Sequence, residues 1–104
     1  MLAIGSPSGT RIINCVAQSL LNKLFYDVPL QASLMLPRYH QQWLPDEIRV
    51  EEGFDPAIAG KLEAKGHVIH TQDLGCKVQA ASMQSQQSVS AFSDMRGAGK
   101  ALAF

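Results

Sequence analysis

The sequence predicts an α+β fold, and three observations carry that prediction. Apolar residues recur at helical spacing early in the chain, at Ile12, Val16, Leu20 and Leu24, with Ile13, Ala17 and Leu21 beside them. Apolar and polar residues alternate at strand spacing late in the chain, where Cys76, Val78 and Ala80 interleave with Lys77, Gln79 and Ala81. The element order reads strand, helix, helix, strand, helix and then about three strands, which suits helices layered on a sheet.

Residues 1–4 read as a short apolar strand, and Gly5-Ser6-Pro7-Ser8-Gly9 as a turn built from residues that punctuate regular structure. The first helix follows, with Ser8, Gly9 or Thr10 available to cap its first turn. It is expected to end near Asp27 or Val28, because Pro29 disfavours helical geometry in the residue before it. Pro29 also suits the first position of a second helix, Leu30 to Leu36, which Pro37 closes. Arg38 to Asp46 reads as an irregular segment rich in hydrogen-bonding side chains, in which Trp43 is expected to be an anchor. Ile48 and Val50 alternate with Glu47, Arg49 and Glu51 as a half-buried strand, and the Glu51-Glu52 pair reads as its solvated end. Asp55-Pro56 is a helix start and Gly66 a helix stop, with Ile58 and Leu62 on one face. Val68 and Ile69 form a short strand, Gln84-Ser85-Gln86-Gln87 a polar turn, and Val89, Ala91 and Phe92 a last strand before a glycine-rich tail.

Composition narrows the function classes. A length of 104 residues allows one small domain or a piece of a larger one. An apolar share of 46% with 17% charged residues is globular. Nine basic and nine acidic residues give no net charge, which argues against sequence-independent nucleic-acid binding and against a polybasic membrane patch. No apolar run approaches the roughly twenty residues that span a bilayer. The opening Met1-Leu2-Ala3-Ile4-Gly5 lacks the cationic start and long apolar run of a signal peptide and enters a strand pattern at once.

Chemistry is best placed at Gly5-Ser6-Pro7-Ser8-Gly9-Thr10-Arg11, a strand-to-helix junction. The first N–H groups of a helix have no intrahelical partner and, with the helix dipole, favour an anion. The same residues also serve an ordinary turn, and the Lys-Ser/Thr ending of a P-loop is missing. No Gly-x-Ser-x-Gly elbow is present. His40 is a base candidate for Cys15 or Ser8 only if the fold joins them. His67 and His70 read as solvated. Cys15 and Cys76 read as buried apolar side chains, and pair only if their Cα atoms come within about 7 Å. No metal-ligand spacing is visible.

Four ordered stretches carry a resemblance. The loop Gly5-Ser6-Pro7-Ser8-Gly9-Thr10-Arg11-Ile12 resembles the Gly-Ser-Pro-Gly-Gly-Ser-Arg-Ile segment of the γ-glutamyltranspeptidases. Pro37-Arg38-Tyr39-His40-Gln41-Gln42-Trp43-Leu44-Pro45-Asp46-Glu47 is similar to that family's Pro-Arg-Phe-His-His-Gln-Trp-Leu-Pro-Asp-Glu. Leu62-Glu63-Ala64-Lys65-Gly66-His67 matches a helix end of the family, and Ser93-Asp94-Met95-Arg96 stands where relatives carry Ser-Asp-Pro-Arg.

The resemblance implies part of an N-terminal-nucleophile hydrolase αββα sandwich, with residues 1–104 as a single piece from the C-terminal portion of the small subunit. The enzyme it implies transfers the γ-glutamyl group of glutathione or related amides to water, amino acids or peptides. Its nucleophile is the N-terminal Thr of the small subunit, which lies outside this chain, so the chain alone is expected to be inactive. No metal or organic cofactor is implied. The implied partners are the remaining large- and small-subunit portions and the γ-glutamyl substrate, with no nucleic acid and no membrane span. Full-length bacterial relatives are usually periplasmic or secreted. The Gly-Gly pair whose N–H groups form the family's oxyanion hole maps to Ser8 and Gly9, which are thereby the expected catalytic and substrate-binding residues. Ser8 departs from glycine at a position that can require positive φ. Met95 replaces a proline, Ala103-Phe104 replaces a Gly-Tyr ending, and residues 84–88 lack the usual Asp/Gly turn. Two alternatives stand beside this one: a non-catalytic truncated or split-frame product, and a small anion-binding module.

Overall fold

The computed structural model describes residues 1–102 of the chain. These form two compact units: residues 1–36 with 75–102, and residues 37–74. The Ala103-Phe104 ending lies outside the described residues.

The first unit is a three-stranded antiparallel sheet with helices on one face. Strand β1 (Leu2–Gly5) leads through a 3₁₀ turn (Gly9–Arg11) into α1 (Ile12–Leu24), and α2 (Leu30–Met35) follows. The C-terminal hairpin of this unit supplies two more strands, Gln79–Ser85 and Ser88–Ser93, called β5 and β6 below. The strand order is β1-β5-β6, with Leu2 opposite Ser82, Ile4 opposite Ala80, and Ala80 opposite Phe92. That register sets Leu2, Ile4, Ala80 and Phe92 on one side, where they pack with Cys15, Leu30, Leu34, Cys76 and Val78 in a single core. The other side carries Ala3, Gly5 and Ala81, whose small side chains leave an open depression of about 340 Å³ along β1 and β5.

The second unit orders its strands β2-β3-β4: β2 (Tyr39–His40), β3 (Ile48–Val50) and β4 (Ile69–Thr71). β2 and β3 are antiparallel, and β3 and β4 are parallel, joined through α3 (Pro56–Ala64). Such a connection needs a crossover, and the helix supplies it. The Asp55 carboxylate accepts the Ala57 N–H at 2.8 Å, so the cap read from Asp55-Pro56 is formed. Gly66 sits at φ +94, the left-handed geometry that ends the helix.

Several local expectations are corrected. No side-chain cap forms at the start of the 3₁₀ turn or of α1. α1 stops at Leu24, short of Pro29, and the chain turns at Asp27, φ +53. Pro29 is the residue before α2 rather than its first helical residue. The segment expected to be irregular contains β2, a strand of two residues that exists only because β3 pairs with it. Burial alternates from Leu74 to Ala80 as the pattern implies, yet the ladder begins only at Gln79, because Gly5 opposite it is the last residue of β1.

Trp43 is not buried as an anchor: it is 79% exposed at φ +74. Its loop is held instead by its own amides. Gln41 Oε1 accepts the Trp43 N–H, Gln41 Nε2 donates to Asp46 at 3.2 Å, and Gln42 Nε2 donates to the Leu44 carbonyl at 3.1 Å. Glu51 is not a solvated strand end either. It is 7% exposed, and its Oε2 accepts the Arg38 N–H at 3.0 Å while its own N–H donates to the Arg38 carbonyl at 2.9 Å. A carboxylate so placed satisfies buried backbone donors beside the sheet.

Candidate functional site

The loop singled out in the sequence joins the end of β1 to α1, and its backbone is unusual. Ser8 lies at φ +128 and Gly9 at φ +56, two consecutive residues in the region that disfavours a Cβ. Glycine adopts the second without strain. Serine at the first is strained, by about 1–3 kcal/mol for conformations of this kind. The Arg11 N–H closes the turn on the Ser8 carbonyl at 3.1 Å, which starts the 3₁₀ turn and then α1. The sharp corner thus follows from two left-handed residues, not from a side-chain cap.

The stretch 75–78 runs beside the loop. Ser6 Oγ donates to the Pro7 carbonyl at 2.8 Å and accepts the Lys77 N–H at 3.1 Å. Gly75 is at φ +73, and a Cβ built there would lie 3.3 Å from Ser8 Oγ, so the Ser8 side chain is turned toward a place that a glycine keeps open. Cys15, in the first turns of α1, is bonded to Cys76 with a Cα–Cα distance of 6.5 Å. The two are therefore a disulfide rather than two separate apolar thiols. A sequence separation of 61 residues gave no local signal for the pairing, while the burial expected of both is present. The bond also removes Cys15 from the nucleophile candidates.

A second cluster fixes the far side of this stretch. Asp94 is 1% exposed; its Oδ2 accepts the Val78 N–H at 2.9 Å and its Oδ1 accepts the Arg96 N–H at 3.0 Å. Arg96 Nη1 bridges Asp94 Oδ1 at 3.0 Å and the Leu34 carbonyl at 2.8 Å, and Nη2 reaches the Leu36 carbonyl at 3.1 Å. Those carbonyls lie at the end of α2, where helix acceptors lack intrahelical partners and a cation is favoured. Ser93-Asp94-Met95-Arg96 is thus a brace between hairpin and helix. Met95, 69% exposed, takes no part in it through any of these bonds.

The other candidates do not assemble into chemistry. His40 Nε2 is hydrogen-bonded to Gln42 Oε1 at 3.0 Å within the second unit. His67 and His70 are exposed. Among the described residues, no three His, Cys, Asp or Glu side chains are grouped to hold a metal. No described helix is long and apolar enough to cross a membrane.

Comparison with known proteins gives one answer. The family model described as gamma-glutamyltranspeptidase matches residues 1–104. The glutathione hydrolase proenzyme of Escherichia coli is 47% identical over 68 residues, 65% of this chain and 12% of that protein. The glutathione hydrolase proenzyme of Pseudomonas aeruginosa is 28% identical over 104 residues, 97% of this chain and 19% of that protein. Among solved structures, the Pseudomonas nitroreducens gamma-glutamyltranspeptidase complexed with L-DON matches with a TM-score of 0.90 and 28% identity, over 99% of this chain and 55% of that one. The T380A mutant of the Helicobacter pylori enzyme matches with a TM-score of 0.85 and 32% identity, over 92% of this chain and 54% of that one. The chain therefore spans less than a fifth of these two curated relatives and about half of the structural neighbours' matched chains. A mixed sheet-and-helix fold that superposes on these N-terminal-nucleophile hydrolases, together with a family match along the full sequence, makes this chain a member of the gamma-glutamyltranspeptidase family.

Proposed function

We propose that this chain is the C-terminal portion of a γ-glutamyltranspeptidase small subunit and that the backbone N–H groups of Ser8 and Gly9 form its oxyanion hole. The observation that carries this reading is the pair of consecutive positive φ angles, +128 and +56, at the two positions where the family motif has Gly-Gly. A serine kept at φ +128 is a costly choice for a plain corner, and a reasonable one where the backbone shape is demanded by a ligand.

In the whole enzyme, a Thr nucleophile outside these 104 residues attacks the γ-carbonyl of glutathione or a related γ-glutamyl amide. Negative charge gathers on the carbonyl oxygen as the carbon becomes tetrahedral. Two fixed N–H donors facing that oxygen stabilise it without reorganising, and one such donor lowers the barrier by about 3 kcal/mol. The acyl group then passes to water, an amino acid or a peptide. This is acyl transfer through a covalent intermediate, and its chemistry asks for no metal or organic cofactor. The partners are the remaining portions of the two subunits. The Cys15–Cys76 disulfide fits an oxidising compartment, as for an exported enzyme.

The test replaces the Gly9 N–H by an ester oxygen, which removes one donor and leaves φ to glycine. This chain is made by ligation and assembled with the Thr-bearing segment and large subunit of a relative. Release from a γ-glutamyl anilide is expected to fall in kcat by about 100-fold or more. An unchanged kcat overturns the assignment.

A further inference from the structure

The loop of residues 6–9 lies beside the stretch 75–78, which meets the loop and the helix behind it at several points. Gly75 makes room for Ser8 Oγ, the Lys77 N–H donates to Ser6 Oγ at 3.1 Å, and Cys76 is bonded to Cys15. The same stretch is pinned from behind, where the Val78 N–H donates to Asp94 Oδ2 and the Asp94 N–H to the Val78 carbonyl, both at 2.9 Å. These contacts include a steric fit, a hydrogen bond and a covalent bond, and only the last cannot open without chemistry.

A residue held at φ +128 persists only where its surroundings over-determine it. Here the strained residue and its partner stretch are far apart in sequence, 61 residues at the two cysteines, so their meeting depends on a long closure that the disulfide makes permanent. Both cysteines are buried, at 0% and 1% exposure. Exchange with a thiol requires a thiolate to reach one sulfur, and burial denies that approach, so the bond acts as a strut rather than a redox switch.

We propose that Cys15 and Cys76 are positioning residues, whose disulfide keeps the Ser8 and Gly9 N–H groups in the geometry that γ-glutamyl transfer needs. The proposal rests on the oxyanion-hole reading for its catalytic consequence, and not for the structural tie itself. It assigns to the disulfide an effect on the loop beyond any effect on global stability.

Amide hydrogen exchange on the 104-residue chain, wild type against Cys15→Ala/Cys76→Ala, reads the tie directly. The amides of Arg11 and Lys77, hydrogen-bonded to the Ser8 carbonyl and to Ser6 Oγ, are expected to exchange about ten-fold faster or more in the variant, while those of β3 and β4 keep their rates. Equal loop rates overturn the proposal. So do two free thiols in wild-type chain that is denatured and alkylated without reductant. If the double variant loses protection in both units, wild-type chain refolded under reducing conditions repeats the comparison without a substitution. Loss in both units there as well makes the bond a folding requirement and also overturns the proposal.

In the assembled enzyme, the variant is expected to lower kcat about ten-fold with KM nearly unchanged, as for misplaced donors. A change confined to KM or to thermal stability contradicts the positioning role. A wild-type assembly without turnover counts against the oxyanion reading, and the exchange result then decides the tie alone.

Discussion

The two units of this chain are held together by different means. The first closes residues from both ends of the chain around an apolar core, with a disulfide through it and the buried Asp94 paired with half-buried Arg96 beside it. The second is one continuous stretch in which α3 has no buried residue, while Arg38, His40 and Glu51 are buried. To its β2-β3-β4 ladder it adds side-chain hydrogen bonds: the Asp55 cap, the Gln41 and Gln42 amides, and the Glu51 carboxylate. The contrast shows where this fold spends rigidity. The strained backbone of Ser8 and Gly9 lies in the unit with the disulfide, and the open, Trp43-bearing loop lies in the unit held by hydrogen bonds and packing.

Substitutions can break or sharpen this contrast. The largest effect on stability is expected from Asp94→Ala, which leaves the Val78 N–H without its carboxylate acceptor and Arg96 without its ion pair. A loss of about 1–3 kcal/mol is expected, the range for leaving a buried donor without its acceptor, since Arg96 is half-buried and keeps its bonds to the Leu34 and Leu36 carbonyls. Denaturant melts give the total, and hydrogen exchange shows whether the first unit alone loosens. Equal loosening of β3 and β4 would erase the distinction between the units.

Ser8→Gly is expected to act in the opposite direction, raising stability by about 1 kcal/mol because it relieves a Cβ at positive φ. A small rise in the melting temperature checks it, and a fall would mean that contacts of the Ser8 side chain outweigh its backbone strain. Asp55→Ala is the smallest of the set. It removes the cap on α3 and is expected to cost about 1 kcal/mol, seen as faster exchange in α3 with the first unit unaffected.

How far the sequence could be read follows the same division. Signals that act over a few residues were legible: the Asp55-Pro56 start, the Gly66 stop, the alternation of Ile48 and Val50, and a polar turn at Gln84 to Gln87, of which residues 86–87 form the turn while Gln84 and Ser85 extend β5. The demand for positive φ at Ser8 was also legible, through the glycine that the resembling motif carries there. What depends on distant partners was not. Cys15 meets Cys76 only through the closed first unit, β2 exists only against β3, and Glu51 is buried only because Arg38 folds back over it. Trp43 misled because a large aromatic ring is ordinarily buried, whereas here side-chain amides fix the loop and leave the ring in solvent. The site itself was named from the motif, but its support by Gly75, Lys77 and Asp94 had no signal beyond the short Ser93-Asp94-Met95-Arg96 match.

The central proposal is that this chain supplies the oxyanion loop of a γ-glutamyltranspeptidase and that the nucleophile comes from another part of the enzyme. The most direct measurement is release from a γ-glutamyl anilide by the chain alone and by the chain assembled with a large subunit and a Thr-bearing upstream segment. The account expects no release above blank from the chain alone and clear turnover from the assembly. Turnover by the isolated chain that is lost on substituting one of its own residues would contradict it.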